Sequence, residues 1–402
     1  MINIANLLIS SFIFLCLLGC SAPPASDGTP LSEPTATEES VDQPAAPPPG
    51  PPSFSTAISR NLPSGTVAGA DNPTPFSVVS SNIDLAAASN LAAEMQSFAL
   101  LVWHNGELKH AQYFDPHDEN LRPESASMHK SVLALVVGAA VDQGLISGTD
   151  AAIGSYLDEW ADDPRGEITI EQLLQMSSGL KPLNSEGGMQ SESMRFMAGE
   201  NVRETILNLE LKHDPGTVFH YAGTVNQLLG LIVERTSGKP YEQFLSEAIW
   251  QPIGADTAYV WYNEETGFPR THTGLLATAQ DWLKLGLLVK DFGKVNDQQI
   301  ISREYIDAMT SPSPANENYG YQTWLGTTHE AQRFYNDAKV GFGVIASEPF
   351  LVDDMIYFDG FGGQRVYISR SLDLVIVRTG EVRLDWDDAK LPNLVISAIT
   401  GE

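Results

Sequence analysis

Only two of the 402 residues are cysteine, Cys16 and Cys20, and both lie in the first twenty positions. The remainder of the chain therefore has no disulfide, no thiolate metal site and no cysteine nucleophile. Positive charge is also scarce. Twenty-three Lys and Arg stand against 51 Asp and Glu, for a formal net charge of −28. Such a surface repels nucleic acid and anionic membrane, so no nucleic-acid partner is expected. The acidity reads as solubility in a salty or extracellular setting. Beyond the N-terminus no run approaches eighteen apolar residues, so no other segment has the length of a membrane span. There is no His-Glu-x-x-His, and the eight histidines, His104, His110, His117 and His129 among them, show no ligand spacing with a carboxylate. The chain is therefore expected to use neither metal nor cofactor. A Gly-x-Ser-x-Gly elbow is missing too, which argues against an α/β-hydrolase. The single Gly-x-Gly-Gly has no helix after it and is no phosphate loop.

What the N-terminus does have is an uncharged apolar start, MINIANLLISSFIFLCLLGC. Its run from Ile4 to Leu18 is short for a span and fits a signal-peptide core, although Met1 to Asn6 lacks the usual Lys or Arg. The ending Leu17-Leu18-Gly19-Cys20 resembles a bacterial lipobox, which implies acylation of Cys20 and an exported, membrane-anchored protein. A plain cleaved signal is the alternative. Ten of the 25 prolines then fall between Pro23 and Pro52. With so few large apolar residues, residues 21–75 are expected to form a disordered tether, the stretch after residue 53 being transitional.

From residue 76 to 402 the texture is globular, with 43% apolar and 18% charged residues over the whole chain. Helical pattern covers Ile83 to Met95. Phe98 to Trp103 and Leu108 to Phe114 flank Asn105-Gly106, a hairpin signal. Met128 to Gln143 reads as a helix closed by Gly144. A mainly helical block follows from Ile153 to about Leu288, with Ile170 to Met176, Val225 to Thr236 and Tyr241 to Ile249 its clearest pieces. Strand-like runs return at Val340 to Ala346, Met355 to Phe358, Arg365 to Ser369 and Leu374 to Thr379, before a last helix over Leu391 to Ile399. This order predicts an α/β (α+β) fold: an antiparallel sheet drawn from both chain ends, flanked by helices, with a helical lobe inserted.

Chemistry first suggests itself at Ser127-Met128-His129-Lys130. Ser127 and Lys130 share a face in the first turn of a helix, near the positive end of its dipole. A partly desolvated lysine there has a lowered pKa and can take the serine proton. Equally, Ser127 can be an ordinary N-cap with Lys130 snorkelling outward. The helix behind them, from Val132 to Val141, has hardly any polar face, so it is expected to be buried, and a lysine at its mouth is costly unless used or paired. His129 points another way and is read as a packing or solvent residue. A second Ser-x-x-Lys, Ser178 to Lys181, sits in a glycine turn and is read as chance.

Three further segments bear on that choice: Ile168 to Leu180, Pro215-Gly216-Thr217-Val218-Phe219-His220-Tyr221 leading to Leu228-Leu229-Gly230, and Gly360-Phe361-Gly362-Gly363-Gln364. With Ser127 and Lys130, and with Gly274 to Asp281 and Asn318 to Trp324, they resemble in order and spacing the serine β-lactamase-like hydrolases. That group includes class C β-lactamases, D-alanyl-D-alanine carboxypeptidases, related carboxylesterases and 6-aminohexanoate-dimer hydrolase. The resemblance, which runs from about Phe76 to the C-terminus, implies a two-lobed fold. It also implies Ser127 as acylated nucleophile, Lys130 as its base, Tyr221 as proton shuttle, and an oxyanion hole from the N–H groups of Ser127 and Gln364. A tyrosine near a lysine ammonium is expected to have a depressed pKa. Gly362 and Gly363 are expected to let a substrate carbonyl approach.

Two departures narrow the function. The family's Tyr-x-Asn is here Tyr221-Ala222-Gly223, without the amide. Phe361 stands where β-lactamases carry the lysine of Lys-Thr-Gly, and a phenyl ring cannot pair with a substrate carboxylate. The expectation is an exported, lipid-anchored serine hydrolase acting on a small carboxylic ester or linear amide. A D-amino-acid peptidase or weak β-lactamase, and a non-catalytic cell-wall or partner-binding relative, are the alternatives.

Overall fold

The computed structural model describes residues 62–263, 267–326 and 328–401. Cys20, the signal segment and the tether up to residue 61 lie outside the described residues. The folded part begins earlier than residue 76. Strand β1 (Ser64–Val67) pairs antiparallel with β4 (Ala258–Trp261), and Ala70 N–H donates to Ala255 O at 2.9 Å. With β5 (Leu275–Leu276) they make a three-stranded sheet, of which β4 and β5 lie inside the block expected to be helical. These strands are two to four residues long, too short for their alternation to stand out in sequence.

Helix α1 (Ala86–Glu94) leads into the predicted hairpin of β2 (Ser97–His104) and β3 (Glu107–Tyr113). Asn105 and Gly106 both have positive φ, as a two-residue turn of this hand requires. Helix α2 (Met128–Asp142) follows and is buried along nearly its whole length, from Met128 to Ala140, as its unbroken apolar surface dictates. The inserted lobe carries α3 (Ile170–Leu174), capped by a Thr169–Gln172 capping box, then α4 (Glu192–Ala198), α5 (Val202–Leu207), α6 (Gly223–Ser237) and α7 (Tyr241–Leu245). Helix α8 (Ala279–Lys290) packs on the main sheet, and Gly286 permits the contact: a Cβ there would sit 2.6 Å from Val375. The ribbon β6 (Lys294–Val295) and β7 (Gln298–Gln299) and helix α9 (Arg303–Met309) come next.

The last strands are β8 (Trp324–Leu325), β9 (Gln332–Phe334), β10 (Gly343–Ile345), β11 (Ile356–Gly360), β12 (Gln364–Ser369) and β13 (Leu374–Gly380), closed by α10 (Lys390–Thr400). The main sheet is antiparallel, in the order β3-β2-β13-β12-β11-β8. It is assembled from both chain ends, as expected. Residues of β11, β12 and β13 are buried on both faces, the mark of a sheet covered on both sides. One expected strand is displaced. Val340 to Ala346 yields only β10, which pairs with β9 in a separate ribbon instead of joining the sheet.

Candidate active site

The approach to Ser127 is fastened to β5 and the residues before it. Ser125 N–H donates to Leu275 O at 3.1 Å, and the Glu124 carboxylate accepts from Gly274 N–H at 2.7 Å and from the Thr273 hydroxyl at 2.6 Å. Ala126 is left with φ +49, a strained value for a residue with a Cβ. That turn delivers Ser127 to the N-terminus of α2, half-buried. Its side chain makes no capping hydrogen bond, and its N–H has no acceptor among the described residues. The ordinary N-cap reading therefore does not describe this serine.

Lys130 does not snorkel. It is 4% exposed, and its Nζ lies 2.8 Å from Ser127 Oγ and donates to His272 O at 2.7 Å. Burial pulls its pKa down to about 7, although the carboxylates of Asp359 and Glu124 oppose the shift. A neutral lysine has two N–H donors and one lone pair. With one donor committed to His272 O, the lone pair is available to the serine proton.

Tyr221 completes the group. It leaves the lobe just before α6, its hydroxyl is near enough to the Ser127 side chain to interact with it, and its ring centroid is 4.9 Å from Lys130 Nζ. The expected depressed pKa is not found. Burial, reinforced by Asp359 and Tyr335, pushes the phenol well above its ordinary 10. Desolvation is the largest cause, so Tyr221 stays protonated and can pass a proton on.

At the third motif the structure brings Gln364 to the site but changes the reason for the glycines. Gly360 is the close approach: a Cβ there would lie 2.5 Å from Ser125 O, so the β11–β12 turn abuts the strained turn before Ser127. Gly362 and Gly363 have φ +72 and +93, and a Cβ on either would strike Val382 or Trp386 at 2.6 Å. They serve the turn and its packing. The Gln364 amide is occupied structurally, donating to Gly380 O at 2.7 Å and accepting from Gly380 N–H at 2.9 Å, so its backbone N–H is what it can offer. Phe361 is half-buried, 5.5 Å from the ring of Phe342.

Several contributors carry no motif. Asp359 is buried beside the site and ion-paired to Arg333 (3.2 Å) and Arg365 (2.8 Å), which both reach Asp388. Burial alone would protonate Asp359, but the two guanidiniums keep its pKa below the ordinary value. Tyr335 donates to Asp359 at 2.9 Å and accepts the Tyr221 N–H on its carbonyl at 3.0 Å. Arg333, Tyr335 and Phe342 stand on or beside a ribbon whose sequence is undistinguished, and His272 acts through its carbonyl, which any residue has. The Asn318 to Trp324 stretch is a brace: the Gln322 amide donates to Leu173 O and Leu174 O, and Gln322 O accepts from Ser131 in α2.

His129 is a packing residue. It is buried, with Nδ1 2.8 Å from Thr273 O and Nε2 3.0 Å from the Tyr241 hydroxyl, and burial lowers its pKa to about 4. In the second Ser-x-x-Lys, Lys181 is exposed and paired with Glu210. Among the described residues no His, Cys, Asp and Glu cluster suits a metal ion, and no helix is long and apolar enough to cross a membrane.

A serine and a buried lysine at the start of α2 thus meet a tyrosine that lies just before α6, beside an antiparallel sheet. The Beta-lactamase family model matches residues 85–381. The chain belongs to that family of serine hydrolases. Among curated proteins it is similar to 6-aminohexanoate-dimer hydrolase of Paenarthrobacter ureafaciens, 27% identical over 224 residues, 52% of this chain and 56% of that enzyme. Protein flp of Staphylococcus aureus (strain NCTC 8325 / PS 47) is 28% identical over 134 residues, 32% of this chain and 26% of flp. The chain thus matches about half or less of these curated relatives. Among solved structures, a Bacillus anthracis protein provisionally named a 6-aminohexanoate-dimer hydrolase superposes with TM-score 0.67 at 20% identity, covering 85% of this chain and 89% of that one. A family VIII carboxylesterase gives TM-score 0.56 at 15% identity, covering 78% and 95%. These two likenesses establish the Beta-lactamase fold.

Proposed function

We propose that this Beta-lactamase family protein hydrolyses a small carboxylic ester or linear amide through an acyl-enzyme on Ser127. The observation that carries the reading is the buried Lys130 Nζ, 2.8 Å from Ser127 Oγ. In the proposed step the Ser127 proton passes to Lys130 as Oγ bonds the carbonyl carbon, and the carbonyl oxygen takes the negative charge against the Ser127 and Gln364 N–H groups. Collapse breaks the bond to the leaving group, which receives the proton by way of Tyr221. Water, deprotonated by the same pair, then attacks the acyl carbon and frees the acid with Ser127 restored. No metal or cofactor enters the scheme.

The ester or linear-amide class rests on Phe361, which leaves no cation at the position where β-lactamases hold a substrate carboxylate. The relatives named a 6-aminohexanoate-dimer hydrolase and a carboxylesterase support the same class. The N-terminal reading extends the proposal: an exported protein, acylated on Cys20, held to a membrane by a proline-rich tether. It is supported by the sequence pattern of residues 1–61.

Mixing the protein with a short-chain activated ester, quenching and weighing it intact tests the mechanism. An acyl adduct on the wild type, missing from Ser127→Ala, is expected. Equal hydrolysis by both proteins, with no adduct, refutes it. Labelling by a fluorescent penicillin would favour a D-amino-acid peptidase or weak β-lactamase instead.

A further inference from the structure

Beyond the nucleophile and its base, the site has a wall of aromatic rings in which Tyr335 and Phe342, unmarked in the sequence, join Tyr221 and Phe361. Phe334 pairs with Gly343 across the β9–β10 ribbon, so Tyr335 and Phe342 are the next facing pair. Their rings lie nearly parallel, 10° apart, with centroids separated by 6.1 Å. On one side Tyr335 meets Tyr221 at 5.0 Å, and on the other Phe342 meets Phe361 at 5.5 Å. All four residues are half-buried, so the row keeps surface open to a ligand. Its inner side is fixed: the Tyr335 hydroxyl is tied to Asp359 and its carbonyl to the Tyr221 N–H. A rigid, uncharged row of rings thus runs from the tyrosine beside Ser127 to the turn that precedes Gln364.

We propose that Phe342 and Phe361, backed by Tyr335, are specificity-determining residues that select substrates whose acyl group carries an aromatic ring. The proposal rests on the reading of Ser127 as nucleophile. With Tyr221 serving the leaving group at one end of the row, the acyl group extends toward the other end, where Phe342 and Phe361 stand. A planar ring gains offset or edge-to-face contact there, which a saturated group of the same size does not. A ring also has few rotors to immobilise. No cation projects from position 361 to favour an anionic acyl group instead.

The test holds the leaving group constant and varies the acyl ring. kcat/KM is measured in a pH-stat for methyl phenylacetate and methyl cyclohexylacetate, with wild type, Phe342→Leu and Phe342→Trp. The wild type should favour phenylacetate about three- to tenfold, the size of an aromatic pair contact. Phe342→Leu should bring the ratio close to one, and Phe342→Trp should keep it. The ratio is the readout, so a uniform loss of rate does not count. If Phe342→Leu fails to fold, the wild-type ratio and Phe342→Trp decide. A wild-type ratio of one or below, or a ratio that Phe342→Leu leaves unchanged, overturns the proposal. Hydrolysis of neither ester overturns the aromatic-acyl proposal alone, whereas equal hydrolysis by Ser127→Ala sinks the hydrolase reading itself, and the role of the aromatic row with it.

Discussion

Replacing Lys130 with methionine should destroy activity and make the protein more stable at neutral pH. The lysine is buried at the mouth of α2 with a pKa of about 7 against an ordinary 10.5. Its folded pKa lies below its unfolded one, so the unfolded chain holds the extra proton between these values. Stability therefore rises with pH across that window, and the cost of burying Lys130 is full below about pH 7. At roughly 1.4 kcal/mol per pH interval, this cost is on the order of 4 kcal/mol at pH 7 and falls to about 1 kcal/mol near pH 10. Methionine fills a similar volume without charge. It leaves His272 O without the donor it now has at 2.7 Å, a loss of about 1–3 kcal/mol. The net expectation is a gain of about 1–3 kcal/mol at pH 7 that vanishes or reverses near pH 10. Urea unfolding of both proteins at pH 7, 8.5 and 10 measures it. A Lys130→Met protein less stable than wild type at pH 7, or a difference that does not vary with pH, would refute the claim that this lysine is held against its preferred charge.

The same pKa sets the rate. If neutral Lys130 is the base, kcat/KM should climb about tenfold from pH 6 to pH 8 with a midpoint near 7, and a flat profile counts against it. Asp359 holds the Lys130 pKa up, so Asp359→Asn should move that limb to lower pH; a move upward contradicts the assignment. Tyr221→Phe should cost about 10²-fold or more in rate while leaving the midpoint near 7, because the phenol is protonated throughout; a shifted midpoint would show that it titrates. Gly360→Ala drives a Cβ to 2.5 Å from Ser125 O, so activity should fall further than the roughly 1–3 kcal/mol of stability lost; a variant with wild-type turnover would show that this approach is not critical.

Much of this protein was legible in its sequence for simple reasons. A helix apolar on all sides has to be buried, which located α2 and made Lys130 conspicuous. Asn105-Gly106 fixed a hairpin through local backbone preference. The order of elements determined a sheet drawn from both chain ends, and the absence of cysteine beyond Cys20 left serine as the nucleophile to consider. The pairs that tertiary structure alone decided are those without local cause. Whether Ser127 caps α2 or faces Lys130 depended on the strained turn that residues 273–276 and Gly360 hold in place. The pKa of Tyr221 ran opposite to expectation because desolvation depends on what the rest of the chain encloses, whereas sequence shows only that a lysine is near. Asp359, Arg333 and Tyr335 are ordinary residues far along the chain from Ser127. They matter because the fold excludes water around them, which makes each charge costly unless paired and places the pairing beside Ser127.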